Sequence, residues 1–148
     1  MKIRVLTLLF MINMLLVWSS TAMAQPNVEI ELNGTNVTSK FSPRVVGNTV
    51  FVPVQSLNFN PELKFGFLEG AIPNLIILES NKYTIYLTIG SATMKKNGET
   101  IELKSPPFFK DGVTWVPLRA IAEGFDSKVV WDQQSNVVGV ITSGEFEK

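Results

Sequence analysis

The chain has 148 residues, is 45% hydrophobic, and sets 13 Lys and Arg against 13 Asp and Glu, with no His and no Cys. Without imidazole or thiolate it offers no ordinary zinc or copper ligand set and no Ser-His-Asp or Cys-His nucleophile, so neither metal nor cofactor is expected. Its charges are scattered, which argues against a nucleic-acid footprint or a polybasic membrane patch.

Residues 1–24 read as a secretion signal. Lys2 and Arg4 precede the apolar run Val5 to Val17, and Ala22-Met23-Ala24 supplies a small-x-small cleavage site before Gln25. The run falls short of the ~20 residues a spanning helix takes. An uncleaved anchor is the competing reading, but export with no lasting membrane insertion is the expectation. Residues 25–148 suit one domain, and the absence of disulfides leaves its stability to the core.

The mature stretch reads as strands. Val28 to Leu32 alternates apolar and charged residues, and Asn33-Gly34 is a hairpin signal. Val45 to Val52 folds over Gly47-Asn48 as a second hairpin. Pro53 to Leu57 starts a helix that Asn58, Asn60 and Pro61 cut to about one turn. Lys64 to Leu68 and Leu75 to Leu78 are strands around the loop Glu69 to Asn74. Lys82 to Ile89 puts Tyr83, Ile85, Leu87 and Ile89 on one face, leaving Thr84, Tyr86 and Thr88 towards water.

Ala92 to Lys95 and Thr100 to Leu103 flank a turn at Lys96-Asn97-Gly98-Glu99. Phe108-Phe109, the turn Lys110-Asp111-Gly112 and Val113 to Val116 make the next hairpin. Pro117 is expected in the first turn of a helix whose apolar stripe is Leu118, Ile121, Ala122 and Phe125. Gly124 is expected to end it in a left-handed conformation. Val129 to Trp131 and Val137 to Ile141 are strands around Asp132 to Ser135, and the polar tail from Ser143 is expected to fray.

A repeat runs through this order at an offset of 64. Asn33-Gly34 is answered by Asn97-Gly98, Lys40 by Lys104, Pro43 by Pro107, Val52-Pro53 by Val116-Pro117 and Lys64 by Lys128, with Phe67 opposite Trp131. Gly, Pro and Asn fix backbone geometry, so two copies of one fold are implied, about 28–80 and 82–142. The expected class is α+β: β-rich antiparallel hairpins in two pseudo-repeated halves around short helices.

The run from Asp111 to Asp132, with Val116-Pro117-Leu118-Arg119 and Trp131-Asp132, resembles the N-terminal or stalk domain of copper amine oxidases. Ile89-Gly90-Ser91 and Asn97-Gly98 resemble its lead-in. The resemblance spans about Val28 to Thr142 and is degenerate in the first half, where Gln55 replaces Arg and Phe67-Leu68 replaces Trp-Asp. It implies an α+β module that holds neither the copper nor the quinone. The oxidase itself needs three His ligands, and this chain has no His.

Tyr86 and Arg119 are the candidate binding residues. Tyr86 is the expected exposed aromatic, whereas Trp115 and Trp131 are expected in the core. Arg119 is read as an anion or partner contact, or as a bridge to Asp132 or a strand-end carbonyl; the bridge is the expected role. Lys40 and Lys104 are expected to be solvated. Glu29/Glu31, Glu99/Glu102 and Glu123/Asp126/Asp132 are the available carboxylates, and their spacing demands no shared cleft. The glycosylation sequons at Asn33 and Asn36 read as chance matches in a bacterial-looking chain.

The expected function is a non-catalytic exported binding or structural module of the bacterial cell envelope, without amine oxidase activity. Its partner would be a protein or a cell-wall polymer. The alternatives are a carboxylate-based glycan enzyme, or an inhibitor of an extracellular enzyme presenting the loop Glu69 to Asn74.

Overall fold

The computed structural model describes residues 27–59, 64–68 and 74–142. The expected signal segment, most of the 69–74 loop and the tail from Ser143 lie outside the described residues.

The first half runs β1 (Glu29–Leu32), β2 (Thr35–Asn36), α1 (Thr38–Phe41), β3 (Arg44–Val46), β4 (Thr49–Pro53), a tight 3-10 helix (Val54–Phe59), β5 (Lys64–Leu68) and β6 (Leu75–Glu79). Then follow β7 (Thr84–Thr88), β8 (Thr93–Lys96), β9 (Glu99–Glu102), β10 (Phe108–Lys110), β11 (Val113–Pro117), α2 (Leu118–Gly124), β12 (Lys128–Asp132) and β13 (Val137–Ile141). They form three sheets, ordered β12-β13-β1-β2, β10-β11-β4-β3 and β5-β6-β7-β8-β9. The architecture is β-rich, with antiparallel sheets and few helices. One pairing departs from the antiparallel expectation: β1 lies parallel to β13, Glu29 opposite Val137 through Leu32 opposite Val140.

Local chemistry explains the hairpins. In Asn33-Gly34, Asn97-Gly98 and Asp111-Gly112 both turn residues have positive φ, the twist that two-residue loops need. The two turn asparagines also reach sideways. Asn33 accepts from the Thr142 N–H at 3.0 Å, and Asn97 accepts from the Thr84 N–H at 2.9 Å, so each turn is tied to the end of a neighbouring strand. Helix α1 has no counterpart in the expected elements. The Asn36 side chain accepts the Thr38 N–H at 3.0 Å, and the Thr38 hydroxyl accepts from Ile30 N–H at 2.9 Å. These bonds satisfy groups that a loop would leave to water.

The core lies between the sheets and beneath α2 and the 3-10 helix, built from Ile30, Val52, Leu57, Leu78, Ile85, Val116, Ile121 and Val138 among others. Two expectations about α2 need correction. Pro117 is extended and ends β11, and the helix begins at Leu118. Gly124 is helical and buried; Asp126, with φ of 58°, makes the left-handed turn. The glycine avoids a contact, because a Cβ there would sit 2.6 Å from Ile85 Cδ1 and force that methyl to shift.

Trp115 and Trp131 also depart from the expected core positions. Trp131 is 40% exposed. Trp115 is half-buried and outside the main core, stacked on Phe108 at 6.2 Å with the Arg44 guanidinium 5.4 Å over its ring. Alternation explains it: Val116 takes the core face of β11, so its neighbour Trp115 points to the other side.

Candidate functional site

The third sheet presents the most distinctive surface. Ile76, Leu78, Ile85, Leu87 and Met94 fill its inner face. Residues directly opposite one another share a face, so the register carries Ile77, Tyr86, Lys95 and Thr100 across the outer side in one row. Leu75 with Thr88 and Thr93 with Glu102 extend the neighbouring positions. Tyr86 is 37% exposed near the middle of this face. Along its own strand it is flanked by Thr84 and Thr88, and Thr93, Lys95 and Thr100 are exposed beside it. The result is an outward-facing platform with one aromatic ring, several hydroxyls and an ammonium.

Arg119 is not part of this platform. Its helix packs on the inner side of the same sheet, where the Gly124 Cβ position touches Ile85 and Met94. The Arg119 guanidinium is 3.3 Å from the Glu123 carboxylate and donates to the Val129 carbonyl at 3.3 Å. Asp132, its other expected partner, instead accepts from the Ser135 hydroxyl at 2.7 Å and the Gln134 N–H at 2.9 Å. Those bonds, the hydroxyl's first, hold the Asp132 carboxyl below the usual range.

A second cluster escaped the sequence reading. Tyr83 donates its hydroxyl to Asp126, Lys96 lies 2.6 Å from the other carboxylate oxygen, and Lys82 stands 3.8 Å away. The Lys96 ammonium is also 3.9 Å from the Tyr83 ring centroid, and that ring meets Phe125 edge-on. The hydrogen bond from Lys96, then that from Tyr83, holds the Asp126 carboxyl below its ordinary value. This cluster fastens the end of α2 to β7 and β8. Its residues lie far apart in the chain and meet where α2 seats on the sheet beside Gly124, so spacing gave no signal.

Among the described residues the remaining carboxylates form no cluster that could hold a metal. Glu29 accepts from Asn36 at 2.9 Å, and Glu99 and Glu102 fall on opposite faces of β9. An open cleft of about 420 Å³ beside α1 is lined by Asn27, Thr38, Ser39 and Ser42 over Val28 and Val45, with no acid among its walls. Lys40 and Lys104 are exposed. Asn33 and Asn36 spend their side chains on Thr142 and on Glu29 with Thr38. No helix among the described residues is long and apolar enough to cross a membrane.

A small β-rich scaffold is thus defined, with an outward sheet face around Tyr86 and with Glu29, Glu123, Asp126 and Asp132 engaged in local bonds. The family model of the copper amine oxidase N-terminal domain matches residues 73–140, from just before β6 into β13. This is the family that the Asp111-to-Asp132 run resembles, and of the first half only β6 falls within the match. No curated protein matches the chain.

Proposed function

We propose that the chain is an exported, non-catalytic module of the bacterial cell envelope that binds an extended polymer on the outer face of its third sheet. The observation that carries this is the Tyr86 platform: an accessible ring among Thr84, Thr88, Thr93 and Thr100, suited to stacking on a sugar while hydroxyls exchange hydrogen bonds with it. The family match supports a stalk-like part, since this domain is not the catalytic portion of amine oxidases. The lack of His removes the copper ligands that amine oxidation requires.

The two halves are read as degenerate copies. Supporting this, Arg44–Val46, Thr49–Pro53 and Lys64–Leu68 stand at the same offset from Phe108–Lys110, Val113–Pro117 and Lys128–Asp132. The β4–β11 register pairs Val52 with Val116, flanked by Pro53 with Trp115 and Phe51 with Pro117. Exchanging the halves maps that register onto itself.

Co-sedimentation with purified peptidoglycan tests the binding reading. The wild-type chain is expected in the pellet, and Tyr86→Ala is expected to weaken binding ~2–10-fold, the range of one aromatic contact, with an unchanged circular dichroism spectrum. No enrichment of the wild type, or equal binding by the variant, would remove the platform as the site.

A further inference from the structure

The β6–β7 turn, residues 80–83, divides the described chain so that every sheet is built from both sides of it. The seams are β1 against β13, β4 against β11 and β6 against β7. The core crosses the same divide: Ile30, Val52 and Ile76 precede the turn, whereas Ile85, Val116 and Val138 follow it. Neither half completes a sheet or a core by itself.

We propose that two copies of this chain exchange these halves, the β1–β6 half of each pairing with the β7–β13 half of the other. Every seam of the single chain is then remade between copies, with the same registers and the same buried side chains. Only the turn must open. It is held by the Ser80 N–H donating to the Tyr83 carbonyl at 2.8 Å and the Tyr83 N–H donating to the Ser80 hydroxyl at 3.0 Å, while Asn81 and Lys82 are exposed. Within it, Lys82 and Tyr83 are anchored to Asp126 of the β7–β13 half, so the reversal is concentrated at Ser80 and Asn81. Because the exchanged and closed forms share nearly all contacts, concentration and the turn decide between them. An exchanged pair carries two Tyr86 platforms, which would bind a repeating polymer with avidity.

Two variants of the chain from Gln25 onward test the exchange. Deleting Asn81 and Lys82 leaves Ser80-Tyr83 as a two-residue loop, a length that calls for positive φ, which Ser and Tyr resist. The deletion variant is expected to elute as a dimer with the wild-type far-ultraviolet spectrum; a folded monomer would overturn the proposal. Should the deletion prevent folding, a Glu79→Cys and Thr84→Cys double variant decides, since these residues stand directly opposite across the β6–β7 seam. Refolded at rising concentration and then oxidised, it is expected to give a growing fraction of compact dimer with two interchain bridges and no free thiol. Monomer with an intrachain bridge at every concentration would overturn it.

Discussion

Gly124 shows how a single position can be read correctly as special and wrongly as to why. A glycine near a helix end suggests a left-handed cap, yet the residue that turns left-handed is Asp126, and Gly124 serves the approach of α2 to β7. Replacing it by Ala sets a helix-propensity gain of at most ~1 kcal/mol against overpacking of ~1–3 kcal/mol. Ile85 is completely buried, so its terminal methyl would have to shift within the packed core, and the steric term is expected to win. Gly124→Ala is expected to lower stability by about 1 kcal/mol in urea titrations. Adding Ile85→Val, which removes the offending methyl, is expected to cost less than the sum of the two single changes. Strict additivity would mean that the contact is not the reason for the glycine.

Among the elements, the join between α2 and the third sheet carries a charge that responds to pH. Asp126 has a lowered carboxyl pKa in the folded chain, so its contribution is present above the unfolded value of ~4 and is lost as pH falls through the folded one. The Asp126 carboxylate is 41% exposed, and solvent screening limits its contribution to at most about 1 kcal/mol. Asp126→Asn is expected to lower the melting temperature slightly at pH 7, with the gap to wild type closing once the medium is acid enough to protonate the folded carboxyl. A gap that persists in acid would assign the effect to the backbone turn rather than to the ion pairs.

Strands were largely legible because their signals are local. Asn33-Gly34, Asn97-Gly98 and Asp111-Gly112 each place a turn, and alternation assigns faces, as at Ile85, Tyr86 and Leu87. Helix α1 was not legible, since Thr38-Ser39-Lys40-Phe41 has little helical preference and is held by Asn36 and by packing of Phe41. Trp115 and Trp131 were misplaced for a related reason. Burial preference is a property of residue type, whereas exposure follows from which side of a strand is covered.

For the molecule as a unit, the interlaced seams imply a single cooperative transition. The wide distribution of the core over all three sheets means that no sheet keeps its packing when another opens. Urea unfolding of the chain from Gln25 onward, which lacks Trp18, is followed by tryptophan fluorescence; this reports on the second sheet through Trp115 and on the first through Trp131, and is expected to coincide with far-ultraviolet dichroism. Separate midpoints would show that one sheet unfolds as a distinct unit.

The order of strands, the turns between them and the outward side of β7 were written into the residue pattern, because each depends on neighbours a few positions away. The chain's lack of His and Cys likewise settled which metal and nucleophile chemistry it has no ligands for. The parallel meeting of β1 and β13, the seating of α2 on Ile85 and the convergence of Tyr83, Lys96 and Asp126 arose only in three dimensions. Those contacts join residues scores of positions apart, where periodicity carries no information and close packing alone selects the partner.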